Sequence, residues 1–166
     1  MISASKQPLK IAITGGVHVG KTTAIKALYE HLCISGMDCV GIAENAVFID
    51  NNRIGYDFEV LGGDRLSAAY VRQWPVARRE AETGRYAFDA HAWALAAQWF
   101  EIFEAHEVML VDELGRLEAR GEGLMIPLVD SLGRSPRHGV FAVRGDVLDD
   151  IERRLGRFDK IFCVTP

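Results

Sequence analysis

The sequence predicts an α/β fold in a single domain that spans residues 1–166. Three observations support this: an apolar run that ends in a glycine loop, a helical pattern directly after it, and a later apolar run that ends in two acidic residues. Strands that alternate with amphipathic helices are typical of a largely parallel sheet covered by helices. With 166 residues, of which 49% are hydrophobic and 25% charged, the chain is long enough to bury such a core.

The first unit is a strand, a loop and a helix. Leu9–Thr14 is short, apolar and β-rich, and it stops at two consecutive glycines. Apolar residues then recur at helical spacing over Thr22–Ser35, and Gly36 supplies a stop signal. This order of elements is the opening unit of an open α/β sheet.

The next segment predicts an antiparallel hairpin added to the sheet. Val40–Ile49 has an extended pattern, Asp50–Asn52 has turn composition, and Arg53–Leu61 alternates apolar and polar residues. Tyr86–Phe88 is expected to form another short strand. Leu66–Thr83 carries charges and a proline, and is interpreted as an ordered loop or a short helix.

The second half predicts further alternation of helices and strands. Asp89 is a candidate N-cap for a helix that reaches about Glu107, with an aromatic face interpreted as core and not as a base-stacking platform. Val108–Val111 is fully apolar, which suits a buried parallel strand. The remaining predicted elements are a helix over Gly123–Leu132, a strand over Gly139–Val143, a helix capped by Asp146 that runs through Leu155, and a strand over Lys160–Val164.

Composition excludes several classes of protein. A formal net charge of −4 argues against nucleic-acid binding, because that function needs a basic face. No apolar run approaches the length that spans a bilayer, so we expect a cytoplasmic protein without a membrane partner. Cys33, Cys39 and Cys163 lack metal-ligand spacing, and we expect reduced, buried thiols.

The glycine loop predicts phosphate binding. Gly15–Thr22 matches the pattern G-x-x-x-x-G-K-[ST], in which main-chain amides and a helix N-terminus surround a polyphosphate. We expect Lys21 to contact the β- and γ-phosphates, the Thr22 hydroxyl to ligate Mg²⁺, and Thr23 to lie near the α-phosphate. The candidate nucleotide-binding residues are Gly15, Gly16, Val17, His18, Val19, Gly20, Lys21, Thr22 and Thr23. Within the loop, His18 is interpreted as a solvated side chain.

The later apolar run predicts the acidic half of the same site. It ends in Asp112 and Glu113, and the carboxyl end of a central strand faces the crevice where open α/β sheets bind ligands. We expect Asp112 to hold Mg²⁺, usually through water, and Glu113 to orient the water that attacks the γ-phosphate. The candidate catalytic residues are Lys21 and Glu113, and the candidate metal ligands are Thr22 and Asp112.

A positive charge near the γ-phosphate is also expected, because phosphoryl transfer spreads negative charge over the equatorial oxygens. Arg116 and Arg144 are candidates from their positions after predicted strands, but surface salt bridging is the preferred interpretation of any single arginine, and neither is included among the candidate site residues. Asp112–Gly115 also fits a DxxG pattern, but the chain has no Asn-Lys-x-Asp segment, which argues against a Ras-like GTPase.

With these motifs in place, the chain resembles the THEP-type nucleoside-triphosphatases, the family of the cancer-related nucleoside-triphosphatase. Arg53–Asp57 is similar to that family's R-I-G-F-D strand, Gly84–Asp89 to its G-x-Y-x-V-D segment, and Val111–Glu118 to its I-D-E-I-G-K-M-E signature. The resemblance implies a three-layer P-loop NTPase with a RecA-like, mostly parallel sheet. It also implies slow hydrolysis of ATP, GTP and other triphosphates to diphosphate and phosphate.

Two alternatives stay open on the sequence alone. A P-loop kinase would transfer the phosphate to a small acceptor, whereas a nucleotide-gated switch would bind without turnover and dock a partner through the region 40–89. Glu113 beside Asp112 favours water as the nucleophile. The main prediction is therefore a Mg²⁺-dependent nucleoside-triphosphatase.

Overall fold

The computed structural model describes residues 7–16, 18–62, 65–71, 79–83 and 86–165. The strands are β1 (Lys10–Gly15), β2 (Cys39–Ile49), β3 (Asn52–Val60), β4 (Arg65–Val71), β5 (Arg79–Thr83), β6 (Tyr86–Asp89), β7 (Val108–Leu114), β8 (His138–Arg144) and β9 (Lys160–Cys163). The helices are α1 (Lys21–Ile34), α2 (Ala90–Phe103), α3 (Arg116–Ala119), α4 (Met125–Arg134) and α5 (Leu148–Leu155).

The strands form one sheet with a parallel half and an antiparallel half. Their order is β5-β6-β4-β3-β2-β7-β8-β1-β9. The pairs from β2 through β7, β8 and β1 to β9 are parallel, whereas the pairs from β2 through β3, β4 and β6 to β5 are antiparallel. One strand, β8, separates β1 from β7, which is the RecA-like arrangement that the family resemblance implies.

Helices cover both faces of the parallel half, and the central strand is buried on both sides. Along β7, Val108 and Leu110 belong to the core cluster beneath α1, whereas Met109 and Val111 belong to the cluster beneath α2, α4 and α5. Successive side chains of a strand point to opposite faces, so a strand with helices on both sides must be apolar throughout. This arrangement confirms the prediction of a three-layer α/β fold.

The antiparallel half is larger than the hairpin and the one further strand that the sequence predicts, of which the strand is confirmed as β6. The interpretation of Leu66–Thr83 as a loop or short helix is wrong, because β4 and β5 lie there and pair with β3 and β6. The charged residues and the proline of this segment concealed the strands in the sequence, although β4 pairs with the preceding strand β3 and β5 with the following strand β6. The fold therefore presents an extended antiparallel sheet beside the P-loop unit.

Of the two helix N-caps that the sequence predicts, one is confirmed and the other is wrong. Asp89 caps α2 as predicted: its Oδ1 accepts hydrogen bonds from the backbone N–H of His91 at 2.7 Å and of Ala92 at 3.4 Å. Asp146 was expected to cap the helix that ends at Leu155, and this is wrong. Its carboxylate instead binds two arginines, and a 3₁₀ turn at Gly145–Val147 leads into α5 without a side-chain cap.

The predictions on burial are confirmed for the aromatic face of α2 and wrong for the cysteines. The aromatic face of α2 lies in the core as expected, with Trp93 8% exposed and Phe100 fully buried. The three cysteines are free thiols, but they are not buried: Cys33 and Cys163 are exposed and Cys39 is partly exposed. Within the described ranges, no helix is both long and apolar enough to cross a bilayer.

Candidate nucleotide-binding and hydrolytic site

The P-loop is placed by the end of β1 and the start of α1. Gly15 has φ 152°, and a Cβ added there would lie 2.5 Å from the carbonyl oxygen of Val164 and 2.9 Å from the Val19 side chain. Only glycine fits that approach. Gly20, with φ 97°, turns the chain directly into α1. The N-terminus of a long helix, with its partial positive charge, therefore opens at the loop.

Lys21 lies inside the loop and not on the surface. It is 5% exposed, and its Nζ donates to the carbonyl oxygen of Gly16 at 2.6 Å and lies 3.4 Å from that of Gly15. Among the described residues it forms no ion pair with a carboxylate. A buried ammonium whose partners are neutral carbonyls can exchange them for phosphate oxygens, which bind a cation more strongly.

A β-bulge brings two consecutive carboxylates to one site at the end of β7. Val111 pairs with Phe141 of β8 and Leu114 pairs with Val143, so β7 carries one residue more than β8 between these pairs. In an unbroken strand, neighbouring side chains point to opposite faces. The extra residue breaks that alternation, so that Asp112 and Glu113 can serve the same side of the sheet.

The bulge holds Glu113 in a left-handed backbone conformation, with φ 60°. Such a conformation costs a non-glycine residue about 1–2 kcal/mol, and strained residues of this kind cluster at functional sites. The side chain lines the same cavity as Lys21 and Thr22.

We expect Glu113→Gly to be more stable than Glu113→Ala by about 1 kcal/mol in free energy of unfolding, because only glycine adopts this φ without strain. At an ordinary strand position the order is reversed. Urea denaturation of both variants measures the difference, and a more stable alanine variant would contradict the strain at this position.

Asp112 lies beneath the cavity and is 1% exposed. Its Oδ2 accepts a hydrogen bond from the backbone N–H of Glu44 at 3.3 Å, whereas its buried Oδ1 has no hydrogen-bond partner in the described part of the chain. Burial raises the pKa of Asp112 to about 6, a hydrogen bond from the Thr22 side chain opposes that shift, and the Glu113 charge adds to it.

Further acidic groups increase the demand for a cation. Burial in the cavity wall, followed by the charges of Glu113, Glu118 and Asp112, holds the pKa of Glu44 well above its usual value. No group of three or more His, Cys, Asp or Glu residues with metal-ligand geometry occurs among the described residues. Thr22 and Asp112 nevertheless fit Mg²⁺, which prefers oxygen ligands and is usually bound by one or two protein groups together with water and phosphate.

We expect Asp112→Asn to stabilise the ligand-free protein at pH 7. A carboxyl group whose pKa is about 6 in the folded state and 3.8 otherwise binds its proton more tightly when folded. The free energy of unfolding therefore falls as pH rises from about 4 to 6, by roughly 3 kcal/mol in total. The asparagine variant lacks this loss.

Denaturation of wild type and variant at pH 4 and pH 7.5 measures the effect. The free energy of unfolding of the variant, relative to that of the wild type, should be higher at pH 7.5 than at pH 4. Mg²⁺ with a triphosphate should stabilise only the wild type. An equal pH dependence of both proteins would refute the assignment of this titration to Asp112.

The other carboxylate of this region, Glu118, ties the loop after β7 together. Its Oε2 accepts the backbone N–H of Gly115 at 3.0 Å, and its Oε1 accepts that of Leu124 at 3.1 Å. Burial raises its pKa, and these two backbone donors oppose the shift. Glu118 therefore fixes the loop directly behind the acidic pair.

The structure places the predicted site residues in two groups. The side of the cavity formed by the P-loop and β7 is lined by His18, Gly20, Lys21, Thr22 and Glu113. The residues that do not line it are Gly15, Gly16, Val19, Thr23 and Asp112. Of these, Gly16 contacts Lys21, Asp112 contacts Thr22 from below, and Thr23 is exposed on α1. Val17 lies outside the described residues.

The opposite wall of the cavity comes from the β2–β3 hairpin. The cavity has a volume of about 350 Å³. The hairpin residues that line it are Glu44, Asn45, Ala46, Arg53 and Tyr56. Lys26 of α1 braces this wall, because its Nζ binds Asn45 Oδ1 at 2.7 Å and Glu59 Oε2 at 2.8 Å.

Comparison with known proteins identifies the family. A family model described as NTPase matches residues 10–165. The chain belongs to this NTPase family. A cancer-related nucleoside-triphosphatase homolog from Bos taurus is 30% identical over 171 residues, which cover 93% of this chain and 87% of that protein. The nucleoside-triphosphatase THEP1 of Metallosphaera sedula is 28% identical over 179 residues, which cover 96% of each.

A solved structure agrees with this assignment. The solution structure of a human cancer-related nucleoside triphosphatase matches with a TM-score of 0.68, over 96% of this chain and 89% of that one. At 24% identity this likeness shows a common fold. The THEP-type resemblance is confirmed, and the chain is an enzyme of the NTPase class.

The sequence motifs of this NTPase did not identify the residues of the hairpin wall. Glu44, Asn45 and Tyr56 belong to no nucleotide-binding pattern. Salt bridging, the interpretation preferred from the sequence for Arg116 and Arg144, is what the structure has. Arg116 and Arg144 both bind the Asp146 carboxylate, at 3.2 Å and 3.0 Å, and neither lines the cavity. The alternating pattern and the turn residues predicted the hairpin as a structural element, and the similarity of residues 53–57 to a family strand was a further signal.

Proposed function

We propose that this NTPase hydrolyses ATP, GTP and other nucleoside triphosphates to diphosphate and phosphate in a Mg²⁺-dependent reaction. The observation that carries the proposal is that Glu113 lines one cavity with Lys21 and Thr22. A carboxylate opposite a phosphate-binding loop is positioned to activate water.

In the proposed reaction, the loop amides and the N-terminus of α1 bind the polyphosphate, and Lys21 exchanges the Gly16 carbonyl for β- and γ-phosphate oxygens. Thr22 and, through water, Asp112 would hold Mg²⁺, which neutralises the charge that develops on the transferred phosphoryl group. These contacts fix the triphosphate in one orientation in the cavity, and such positioning together with electrostatic stabilisation supplies most of the rate gain in phosphoryl transfer.

Glu113 would orient the attacking water and accept its proton. The water oxygen forms a bond to the γ-phosphorus, and the bond from that phosphorus to the β–γ bridging oxygen breaks, so that the diphosphate leaves with the electron pair. The proton on Glu113 then passes to the phosphate product or to solvent. Because the Glu113 backbone is held by the bulge, its carboxylate needs little reorganisation for this step.

Phosphate release from a panel of nucleoside triphosphates, with Mg²⁺ and with a chelator in its place, tests the proposal. We expect release from several triphosphates without any added acceptor, and none with the chelator. Turnover only in the presence of a phosphate acceptor would make the protein a kinase. Tight binding with no turnover of any triphosphate would make it a nucleotide-gated switch.

A further inference from the structure

The guanidinium of Arg53 faces the P-loop from the hairpin wall of the cavity. Its Nη2 lies 3.1 Å from His18 Nδ1 and 3.2 Å from Nε2, and its Nη1 donates to the Tyr56 hydroxyl at 2.8 Å. His18 is a residue of the loop itself, three positions before Lys21. Arg53 therefore already touches the segment that surrounds the phosphates.

Local backbone structure aims this side chain. Phe48 of β2 pairs with Arg53, whereas its neighbour Val47 pairs with Gly55, so Ile54 is an extra residue in β3. Residues 53 and 56 would point to opposite faces of a regular strand. The extra residue shifts the alternation and lets Arg53 and Tyr56 share a face.

Two aromatic rings hold the guanidinium in place. Its carbon lies 5.8 Å from the centre of the Phe48 ring and 5.4 Å from that of Tyr56. Cation–π contacts of this kind restrict a long side chain without using its N–H donors. Less entropy is then lost when the donors bind a ligand.

Arg53 differs from Arg116 and Arg144 in its ion pairing. Among the described residues, no carboxylate forms an ion pair with Arg53, and its hydrogen-bond partners are a neutral hydroxyl and an imidazole ring. Arg116 and Arg144, in contrast, are both bound to Asp146. Arg53 can therefore turn to an anion without breaking an ion pair.

We propose that Arg53 is a catalytic residue that leaves His18 and binds the γ-phosphate of the bound triphosphate, in the manner of an arginine finger supplied by the same chain. This inference rests on the proposed function, because it assigns a role in triphosphate hydrolysis. The guanidinium would neutralise charge on the equatorial oxygens as the bond to the leaving diphosphate breaks.

The test compares Arg53→Ala, Arg53→Lys and Arg53→Gln with the wild type and with Arg116→Ala as the control. For each protein, kcat, KM and the affinities for Mg²⁺ with a diphosphate, with a non-hydrolysable triphosphate, and with a diphosphate plus aluminium fluoride are measured. Arg53→Gln keeps a hydrogen-bond donor without the charge, and thermal melting confirms that each variant is folded.

We expect Arg53→Ala and Arg53→Gln to lower kcat on the order of 10³-fold. They should bind triphosphate and the aluminium fluoride complex more weakly, and bind diphosphate within about twofold of wild type, since only a γ-phosphate contact is lost. Arg53→Lys should recover part of kcat, and Arg116→Ala should resemble wild type.

Two results would overturn the role of Arg53. One is wild-type kcat in Arg53→Gln, and the other is an equal loss of diphosphate and triphosphate affinity, which would place the side chain against the base or sugar. Absence of phosphate release from the wild type would instead refute the proposed hydrolysis. Even then, the ratio of triphosphate to diphosphate affinity decides whether Arg53 contacts the γ-phosphate.

Discussion

Glu113→Gln is expected to bind magnesium–triphosphate as tightly as the wild type and to release phosphate at least about 10²-fold more slowly, the usual contribution of a positioned acid–base group. Glutamine preserves the size of the side chain and can still hydrogen-bond a water, but it cannot accept the proton. It also removes one negative charge from a cavity that holds Glu44, so ground-state binding should not suffer.

Single-turnover phosphate release and calorimetric titration with a triphosphate separate chemistry from binding. Glu107→Gln is a matched control, because that carboxylate is exposed immediately before β7 and outside the cavity. Turnover of Glu113→Gln at the wild-type rate would remove Glu113 from the mechanism. A variant that loses affinity as much as rate would show that the side chain acts in binding.

The parallel half of the fold was predictable because its information is local. The P-loop pattern, the helical spacing after it and the apolar run at Val108–Val111 each occupy a few consecutive residues. Burial on both faces forces β7 to be apolar throughout, which makes such a strand visible in composition alone. The antiparallel strands β4 and β5 carry charged residues in their sequences, and the sequence did not distinguish them from a loop.

The sequence predicted only those residues of the candidate site that belong to a known motif. Lys21, Thr22 and the acidic pair belong to patterns. Glu44 and Arg53 lie on the β2–β3 hairpin, which reaches the cavity because β2 pairs with the distant strand β7. The two bulges that orient Glu113 and Arg53 depend on register, which no run of residues encodes by itself. Sequence position offered only Arg116 and Arg144 as candidates for the charge near the γ-phosphate, and both form salt bridges with Asp146, while the fold brings Arg53 to the phosphate-binding loop.

Lys21→Met should lower the affinity for triphosphate by about 10²-fold or more, because two charge-assisted hydrogen bonds to phosphate oxygens are lost. Methionine keeps an unbranched apolar chain in the buried space that the lysine occupies. The variant also removes a buried ammonium that no described carboxylate pairs with, so the ligand-free protein should be at least as stable as the wild type.

This combination separates loss of the site from loss of the fold. In thermal melting, Lys21→Met should match or exceed the ligand-free wild type and gain little on addition of magnesium–triphosphate. Lys160→Met, at an exposed position of β9, should keep the full gain. If Lys21→Met were stabilised by the triphosphate as strongly as the wild type, the buried ammonium would not be a phosphate ligand. The loop amides and the N-terminus of α1 would then have to account for binding on their own.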